Sequence, residues 1–408
     1  MKILFISFFV PYPPTAGHLQ RNFNLIREIA KENEIYLLSF TQRVLLPTEK
    51  ALQDSLDALK PYCKLIKVYK IPSDYSQLRR LGVLFFNLFS TKPFSVWKFS
   101  SPQMKKDIAE LIQTDSFDLV HVDTVDIAQF ADYAPGLPKV LNHHNVESKL
   151  LTRRGKNTGN PLAKLYLLIQ GYKLGQYEKN KIVQVDMNLA VSEIDQADFQ
   201  KSAPDARFVI IENGTDIEYF KPSDKPGTKS LIFAGGMSWY PNADAMVHLC
   251  SDIYPLIKKE IPEIKCNIIG SHPPGRLLSL AKLDESIKIH GYVNDVREYL
   301  AEAGVYVVPI RVGGGTRLKI LDAMAAGKAV VSTSVGCEGL KVTPDENILI
   351  GDTPESFARQ VVRLINDNDL KKKLEVNGRK LVEEEYSWAK IGRQLNDVYK
   401  SVVSQKKK

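Results

Sequence analysis

The sequence predicts an α/β chain made of two doubly wound, Rossmann-like domains. Three observations predict it. Short apolar runs alternate with helix-length stretches along most of the 408 residues. The runs are apolar throughout, as in parallel strands covered on both faces. The series is interrupted once by a turn- and proline-rich segment and then begins again. At 44% apolar and 25% charged residues, a chain of this length carries enough apolar surface for two cores.

The first set of runs is KILFISF, EIYLLSF, CKLIKVY, DLVHVD, KVLNHHN and MNLAVS; the second is SLIFAGG, CNIIGS, IKIHGYV, VYVVPI and AVVSTS. Between them lies VIIENGTDIEYFKPSDKPGTKS, where Asn213-Gly214 is a turn signal and Pro222, Pro226 and Gly227 supply linker composition. A boundary within 217–229 follows, giving domains of residues 1–218 and 219–385. The segment YSWAKIGRQLNDVYKSVV reads as a final helix, over about 386–404, that packs back on the first domain.

Charge and cysteine usage restrict the class. Lys and Arg exceed Asp and Glu by 55 to 47, a balance that suits an anionic partner without choosing between nucleotide, phosphorylated substrate, nucleic acid and acidic membrane. Cys63, Cys250, Cys266 and Cys337 form no C-x-x-C pair, so neither a zinc knuckle nor a disulfide framework is expected. The opening MKILFISFFVPYPP, broken by prolines from Pro11, reads as a buried strand rather than a signal peptide. No run reaches the roughly 18 apolar residues that span a bilayer. A cytoplasmic protein is the expectation.

Open α/β sheets bind ligands where strands end and helices begin, so the residues after each strand carry the functional reading. After the first strand, Gly17 precedes an amphipathic helix bearing Phe23, Ile26 and Ala30. Gly17 would let an anion approach the helix N-terminus, with Arg21 nearby. After the fifth, NHHNVESK sets His143 and His144 beside Asn145 and Glu147; these suit a general base or hydrogen bonds to a hydroxyl-rich ligand, and equally a polar loop with a capping asparagine. The pattern lacks the i, i+4 histidine spacing of a helical zinc pair. Ser192, with Asp195 three residues on, reads as a helix cap.

In the second half, LIFAGGMSWYPNADAM ends a strand in Gly235-Gly236 and enters a helix through Trp239, Tyr240 and Asn242. HGYVNDVREYL places Tyr292 and Val293 after another strand, where the ring suits stacking on a nucleobase while neighbouring backbone reads its edge. The densest signal is IRVGGGTRLKILDAM. Gly313, Gly314 and Gly315 expose backbone N–H groups at a helix start near Thr316, where the macrodipole adds to Arg317 and Lys319. A diphosphate fits there. Lys319 and Asp322 share one polar helix face, opposite Leu321, Met324 and Ala325, and Asp322 suits the hydroxyls of the same ligand. Neither a G-x-x-x-x-G-K-[ST] loop nor a first-strand G-x-G-x-x-G occurs.

The ordered series ENGTDIEYF, LIFAGGMSWYPNADA, IHGYVNDVREYL, GGGTRLKILDAMAAGKAVVSTSVGCEGL, ENILIGDTPESFA and YSWAKIG resembles the GT-B glycosyltransferases of GT4-like type, over nearly the whole chain. It is similar in particular to capsular and exopolysaccharide sugar transferases. The resemblance implies a retaining, hexosyl-transferring enzyme that needs no cofactor or metal and uses a nucleotide-diphosphate sugar as donor. The family's paired glutamates, with seven residues between them, fall on Gly314 and Asp322: the first carboxylate is absent, and Asp322 inherits the ribose contact. Arg317 and Lys319 are then the cations that neutralise the leaving diphosphate, with residues 313–316 contacting it through the backbone. The basic pair that the family carries after the first strand of this domain is replaced by Asn242. Gly17 matches the glycine turn of the first domain, and His143 or His144, with His144 favoured, matches its active-site histidine.

The acceptor is expected to be a glycan or a lipid-linked hydroxyl. SQLRRLGVLFFNLFSTKPFSVWKF and LAKLYLLIQGYKLGQYEKNK combine apolar and basic residues and suit either buried helices with basic rims or peripheral contact with an anionic membrane at its inner face. A nucleotide-sugar epimerase of the same architecture would need carboxylates near the sugar, which Gly314 does not supply. A nucleic-acid binder is not expected, because basic residues are spread among acidic ones and no recognised module occurs.

Overall fold

The computed structural model describes residues 1–406 apart from 75, 157, 224, 226 and 313–317, with backbone only at 72, 77, 79 and 80. Gly313, Gly314, Gly315, Thr316 and Arg317 therefore lie outside the described residues. The chain divides into two compact units: Met1–Glu212 with Ile391–Lys408, and Asn213–Lys390.

The first unit is built on a parallel sheet of β1 (Lys2–Ser7), β2 (Glu34–Thr41), β3 (Leu65–Lys70), β4 (Leu119–Val122), β5 (Lys139–Asn142), β6 (Met187–Ala190) and β7 (Phe208–Ile210), in the order β3-β2-β1-β4-β5-β6-β7. Ile3 sits between Ile35 of β2 and Leu119 of β4, all three fully buried, which is why these strands read as unbroken apolar runs. The chain winds outward from β1 through β3, then crosses to β4. The β1/β4 junction is thus the switch point where a doubly wound sheet leaves room for a ligand.

The second unit repeats the plan with β8 (Ser230–Ala234), β9 (Lys265–Ile269), β10 (Ile287–Gly291), β11 (Val305–Val308), β12 (Val330–Ser332) and β13 (Leu349–Ile350), ordered β10-β9-β8-β11-β12-β13. Its switch point lies between β8 and β11. A core of Leu231, Phe233, Ile268, Val307 and Met324 fills the space between sheet and helices.

Two strands escape the sequence reading. β7 falls at the start of the stretch read as linker, and β13 is two residues long; both are edge strands of their sheets, β7 only partly buried, so neither shows a strong apolar run. The division falls at Glu212/Asn213 rather than 218/219 because the Thr215 N–H donates to the Tyr386 carbonyl at 2.8 Å and Arg379 holds the carbonyls of Ile217 and Phe220. The last helix, Trp388–Lys406, leaves the second unit at Lys390 and joins the first from Ile391. There Tyr399 Oη and His121 Nδ1 are 2.7 Å apart. Gly392 passes so near helix Gly17–Ile29 that an added Cβ would meet Glu28 Cβ at 2.4 Å.

Candidate active site

In the first unit the ends of β1, β4 and β5 converge on Asp123, which is fully buried just past β4. His144 Nε2 lies 2.8 Å from Asp123 Oδ1. The Phe8 N–H donates to Oδ2 at 3.1 Å and Asn142 Nδ2 to Oδ1 at 3.2 Å, while Asn22 Nδ2 also donates to Oδ2. Burial alone would raise this carboxyl, but the His144 ring and these hydrogen bonds outweigh it and hold Asp123 well below the usual carboxylate range. An ionised Asp123 only accepts, so His144 Nε2 carries the proton between them, and Nδ1 is an acceptor whenever the ring holds that one proton alone.

Sequence reasoning left two adjacent histidines open; the structure separates them. His144 retains 13% side-chain exposure. His143 is buried against Phe199, ring centroids 4.4 Å apart, with Nε2 3.1 Å from Asn188 Oδ1, and burial pulls it down to about 4. The expectation that His143 faces a hydroxyl-rich ligand, on the acceptor side of the site, is corrected to a core role. Arg21 is corrected too. Fully buried, it donates to Asn142 Oδ1 at 2.9 Å and to the carbonyls of Ile211 and Glu212 at 2.8 and 2.9 Å, tying the end of β5 to the segment after β7. Burial lowers it to about 10, still cationic at neutral pH. Gly17 opens helix Gly17–Ile29, whose N-cap Ala16 offers no side-chain cap. The next residue, His18, was not singled out from sequence. Its ring lies 6.3 Å edge-on from that of His144, its Nε2 is buried without a partner, and burial lowers it to about 4.

Asn145 Nδ2 donates to Glu147 Oε1 at 3.4 Å. Glu147, partly buried at the start of helix Glu147–Lys156, is pushed up to about 8 by burial and then by Asp126, with Glu178 and Asp195 adding smaller repulsions. Glu178, buried on helix Pro161–Ile182, is raised to about 7 by burial, against hydrogen bonds from Ser148. A folded-state value above the unfolded 4.5 means stability that is complete below pH 4.5 and lost as pH rises through 7. Glu178→Gln is therefore expected to melt several degrees above the parent at pH 8, the gap closing toward pH 4.5; a pH-independent gap in thermal melts refutes this. Ser192 caps the following helix as expected, Oγ accepting from the Asp195 N–H at 3.2 Å.

In the second unit, Gly235 and Gly236 follow β8 where it meets the end of β9. Gly270 allows that approach, because an added Cβ would stand 2.0 Å from the Gly235 carbonyl oxygen. Helix Leu318–Ala325 buries Ile320, Leu321, Ala323, Met324 and Ala325. Each large apolar side chain contributes about 1.5–3 kcal/mol, which sets the helix roll and turns Lys319 and Asp322 away from the core. Lys319 Nζ donates to Asn242 Oδ1 at 2.5 Å and lies 4.7 Å above the Phe233 ring and 5.8 Å from that of Trp239. Asn242 in turn donates to the Gly236 carbonyl at 2.9 Å. An added Cβ at Gly235 would sit 3.0 Å from Lys319 Nζ, so the glycine leaves the ammonium its place.

Asp322 Oδ1 accepts from Thr215 Oγ1 at 2.7 Å, a partner 107 residues away that no local pattern signals. Tyr292 stands 71% exposed after β10, its ring available for stacking, whereas Val293 packs against the core and has only backbone to offer. Arg311, exposed at the end of β11, pairs with Asp244 at 2.8 Å. Among the described residues no group of three or more His, Cys, Asp or Glu is placed to hold a metal ion. The arrangement offers a fixed cation and a hydroxyl-binding carboxylate at one switch point, and an oriented imidazole at the other.

Residues 228–367 match the family model of group 1 glycosyl transferases. The chain is 25% identical over 169 residues to an uncharacterized 44.6 kDa protein in the cps region of Klebsiella pneumoniae, covering 40% of this chain and 44% of that protein. It is 21% identical over 318 residues to the phosphatidyl-myo-inositol mannosyltransferase of Mycobacterium tuberculosis, covering 74% and 78%. Its fold is similar to that of Anabaena Alr3699/HepE, crystallised with UDP and glucose, at TM-score 0.67 and 15% identity, covering 98% of this chain and 100% of that one. Two parallel doubly wound sheets give the chain the GT-B fold, and its second unit carries a group 1 glycosyl transferase domain over residues 228–367.

Proposed function

We propose that the protein transfers a hexosyl unit from a nucleotide-diphosphate sugar to a glycan or lipid-linked hydroxyl, with retention, in the synthesis of a cell-surface polysaccharide or glycolipid. The observation that carries the donor reading is Lys319, held by Asn242 over two aromatic rings beside Gly235 at the switch point of the second sheet. As the bond from the anomeric carbon to the diphosphate oxygen breaks, its electron pair goes to the phosphate, and a preorganised cation is worth most at that moment. Arg317 and the backbone of 313–316 add to it, Asp322 takes the ribose hydroxyls, and Tyr292 stacks on the base. In the first unit, Nδ1 of His144 takes a hydroxyl hydrogen bond from the bound sugar or acceptor, its ring held by Asp123. The polysaccharide or glycolipid setting is supported by the cps-region relative and the lipid-directed mannosyltransferase.

The test is thermal stabilisation by UDP, GDP, ADP and their sugar conjugates, because a ligand that binds only the folded state raises its melting temperature. One nucleotide family is expected to stabilise the parent, the shift shrinking in Arg317→Ala and in Asp322→Asn. A panel without any response refutes the donor site. Cations of the protein stand in for a metal in this reading, so turnover is expected to be the same with and without EDTA.

A further inference from the structure

Two segments of the first unit share an unusual composition. From Ser76 to Lys106 there are six basic and no acidic residues, and from Ser148 to Tyr177 again six and none, in a chain whose totals are 55 and 47. They pack on each other. Gln170 Nε2 donates to Asn87 Oδ1 at 2.8 Å and its Oε1 accepts from the Phe94 N–H at 2.8 Å, while Lys173 Nζ reaches the Asn87 carbonyl at 2.9 Å. Helix Glu147–Lys156 joins them, with Gly171 leaving room for Thr152, whose Oγ1 an added Cβ would meet at 2.5 Å.

These segments also carry most of the large apolar side chains that the first unit leaves in water. On helix Gln77–Asn87 and the turn after it, Leu78 is 83% exposed and Phe89 80%, and Phe85 stacks edge-on with Phe86 and Phe89 at 5.5 and 5.7 Å. On helix Pro161–Ile182, Leu162 is 80% exposed, and Leu165, Ile169 and Tyr172 are exposed beside it. A groove of about 590 Å³ runs between the segments, lined by Thr91, Leu168, Ile169, Tyr172 and Lys173. Lys98, Lys106 and Lys149 are paired with Asp74, Glu110 and Asp198, while Lys92, Arg153, Arg154, Lys156 and Lys164 are exposed on the same segments. Single exposed apolar residues need no explanation, but a set of them beside a surplus of exposed cations marks an interaction surface.

We infer that this face is a docking surface for an anionic phospholipid bilayer, with Phe85, Phe86, Phe89, Leu162 and Leu165 entering the acyl boundary and Lys92, Arg153, Arg154, Lys156 and Lys164 meeting the headgroups. Charge selects the occupant. Aliphatic and aromatic side chains beside a surplus of exposed cations match the two terms of interfacial binding, apolar burial and attraction to anionic lipid. Trp97, partly exposed with Nε1 donating to Ser90 Oγ at 3.0 Å, has the amphipathic ring that favours the interface. No helix among the described residues is long and apolar enough to cross a membrane, so the contact is peripheral. It rests on the glycosyltransferase reading only in supplying a reason for a lipid-linked acceptor.

The experiment is co-sedimentation of the full chain with vesicles of phosphatidylcholine alone and with 30% phosphatidylglycerol, the fraction being roughly that of a moderately anionic membrane. Binding is expected only to the anionic vesicles, weakened by salt, and at least ~10-fold weaker for Phe85→Ser/Phe89→Ser, a change in exposed side chains worth about 1.4 kcal/mol or more. The nucleotide-induced melting shift of that variant serves as control and is expected to match the parent, so loss of lipid binding is read apart from loss of the donor site. Equal binding by the variant, or no binding to either vesicle, overturns the proposal. So does a parent that is dimeric by light scattering and a variant that is monomeric, since the face would then join two copies of the chain.

Discussion

Lys319→Ala is expected to lower kcat about 100- to 1,000-fold, the cost of removing one preorganised charge from a developing oxyanion, while the melting temperature moves little. Nζ lies on the polar side of helix Leu318–Ala325, and its neighbours Ile320 and Leu321 remain to hold that helix in place. Lys319→Arg is not expected to rescue. Gly235 already has no room for a Cβ, which would stand 3.0 Å from Nζ, and a planar fork cannot occupy the pocket of a compact ammonium between Asn242 and the Phe233 ring. Steady-state kinetics with donor and acceptor both saturating decides it. A kcat within a factor of a few of the parent removes Lys319 from the leaving-group role.

The second large effect belongs to the Asp123–His144 pair. His144→Ala is expected to lower kcat by about 100- to 10,000-fold, the range for a positioned proton acceptor or donor, and to cost stability too, less than loss of the carboxylate, because Asp123 keeps its bonds from Phe8, Asn22 and Asn142 but loses the ring that most offsets its burial. Asp123→Ala behaves differently. It removes the carboxylate that accepts from Phe8, Asn22, Asn142 and His144, and unpairing such a buried network costs about 3–5 kcal/mol. Asp123→Asn keeps the volume but offers an amide, which no longer selects the Nε2–H form of His144, so kcat falls while most of the fold survives. If the two residues act as a unit, the double variant His144→Ala/Asp123→Asn loses no more than His144→Ala alone. Additive losses mean that Asp123 serves only the fold.

The strands of both sheets that lie between neighbours were legible in the sequence, because being covered on both faces makes a run apolar without interruption, and that is a local property. So, to within several residues, was the passage from one unit to the other, from its turn and proline residues, and the helix on which Lys319 and Asp322 share a face opposite Leu321 and Met324, from a spacing of three and four. β7 and β13 were not, β7 because its three residues are only partly buried and β13 because two residues are too short to show a run. Composition also showed the two acid-free segments, but not whether their apolar residues were inside.

The site depended on pairings that no local pattern contains. Thr215 reaches Asp322 across 107 residues and Arg21 reaches Asn142 across 121; Asn242 stands where a basic pair was expected, and holds Lys319 from 77 residues away. A polar residue in isolation has several possible partners, and only the packing of helices on a sheet decides which one is 2.9 Å away. His143 and His144 show the reason most simply. Neighbouring residues at the end of a strand point to opposite faces, so one of the two had to enter the core beside Phe199 and the other had to turn to Asp123. The sequence determined that a histidine would stand at the end of β5, and the tertiary structure decided which, because the side of the sheet on which each helix packs is settled by the whole fold.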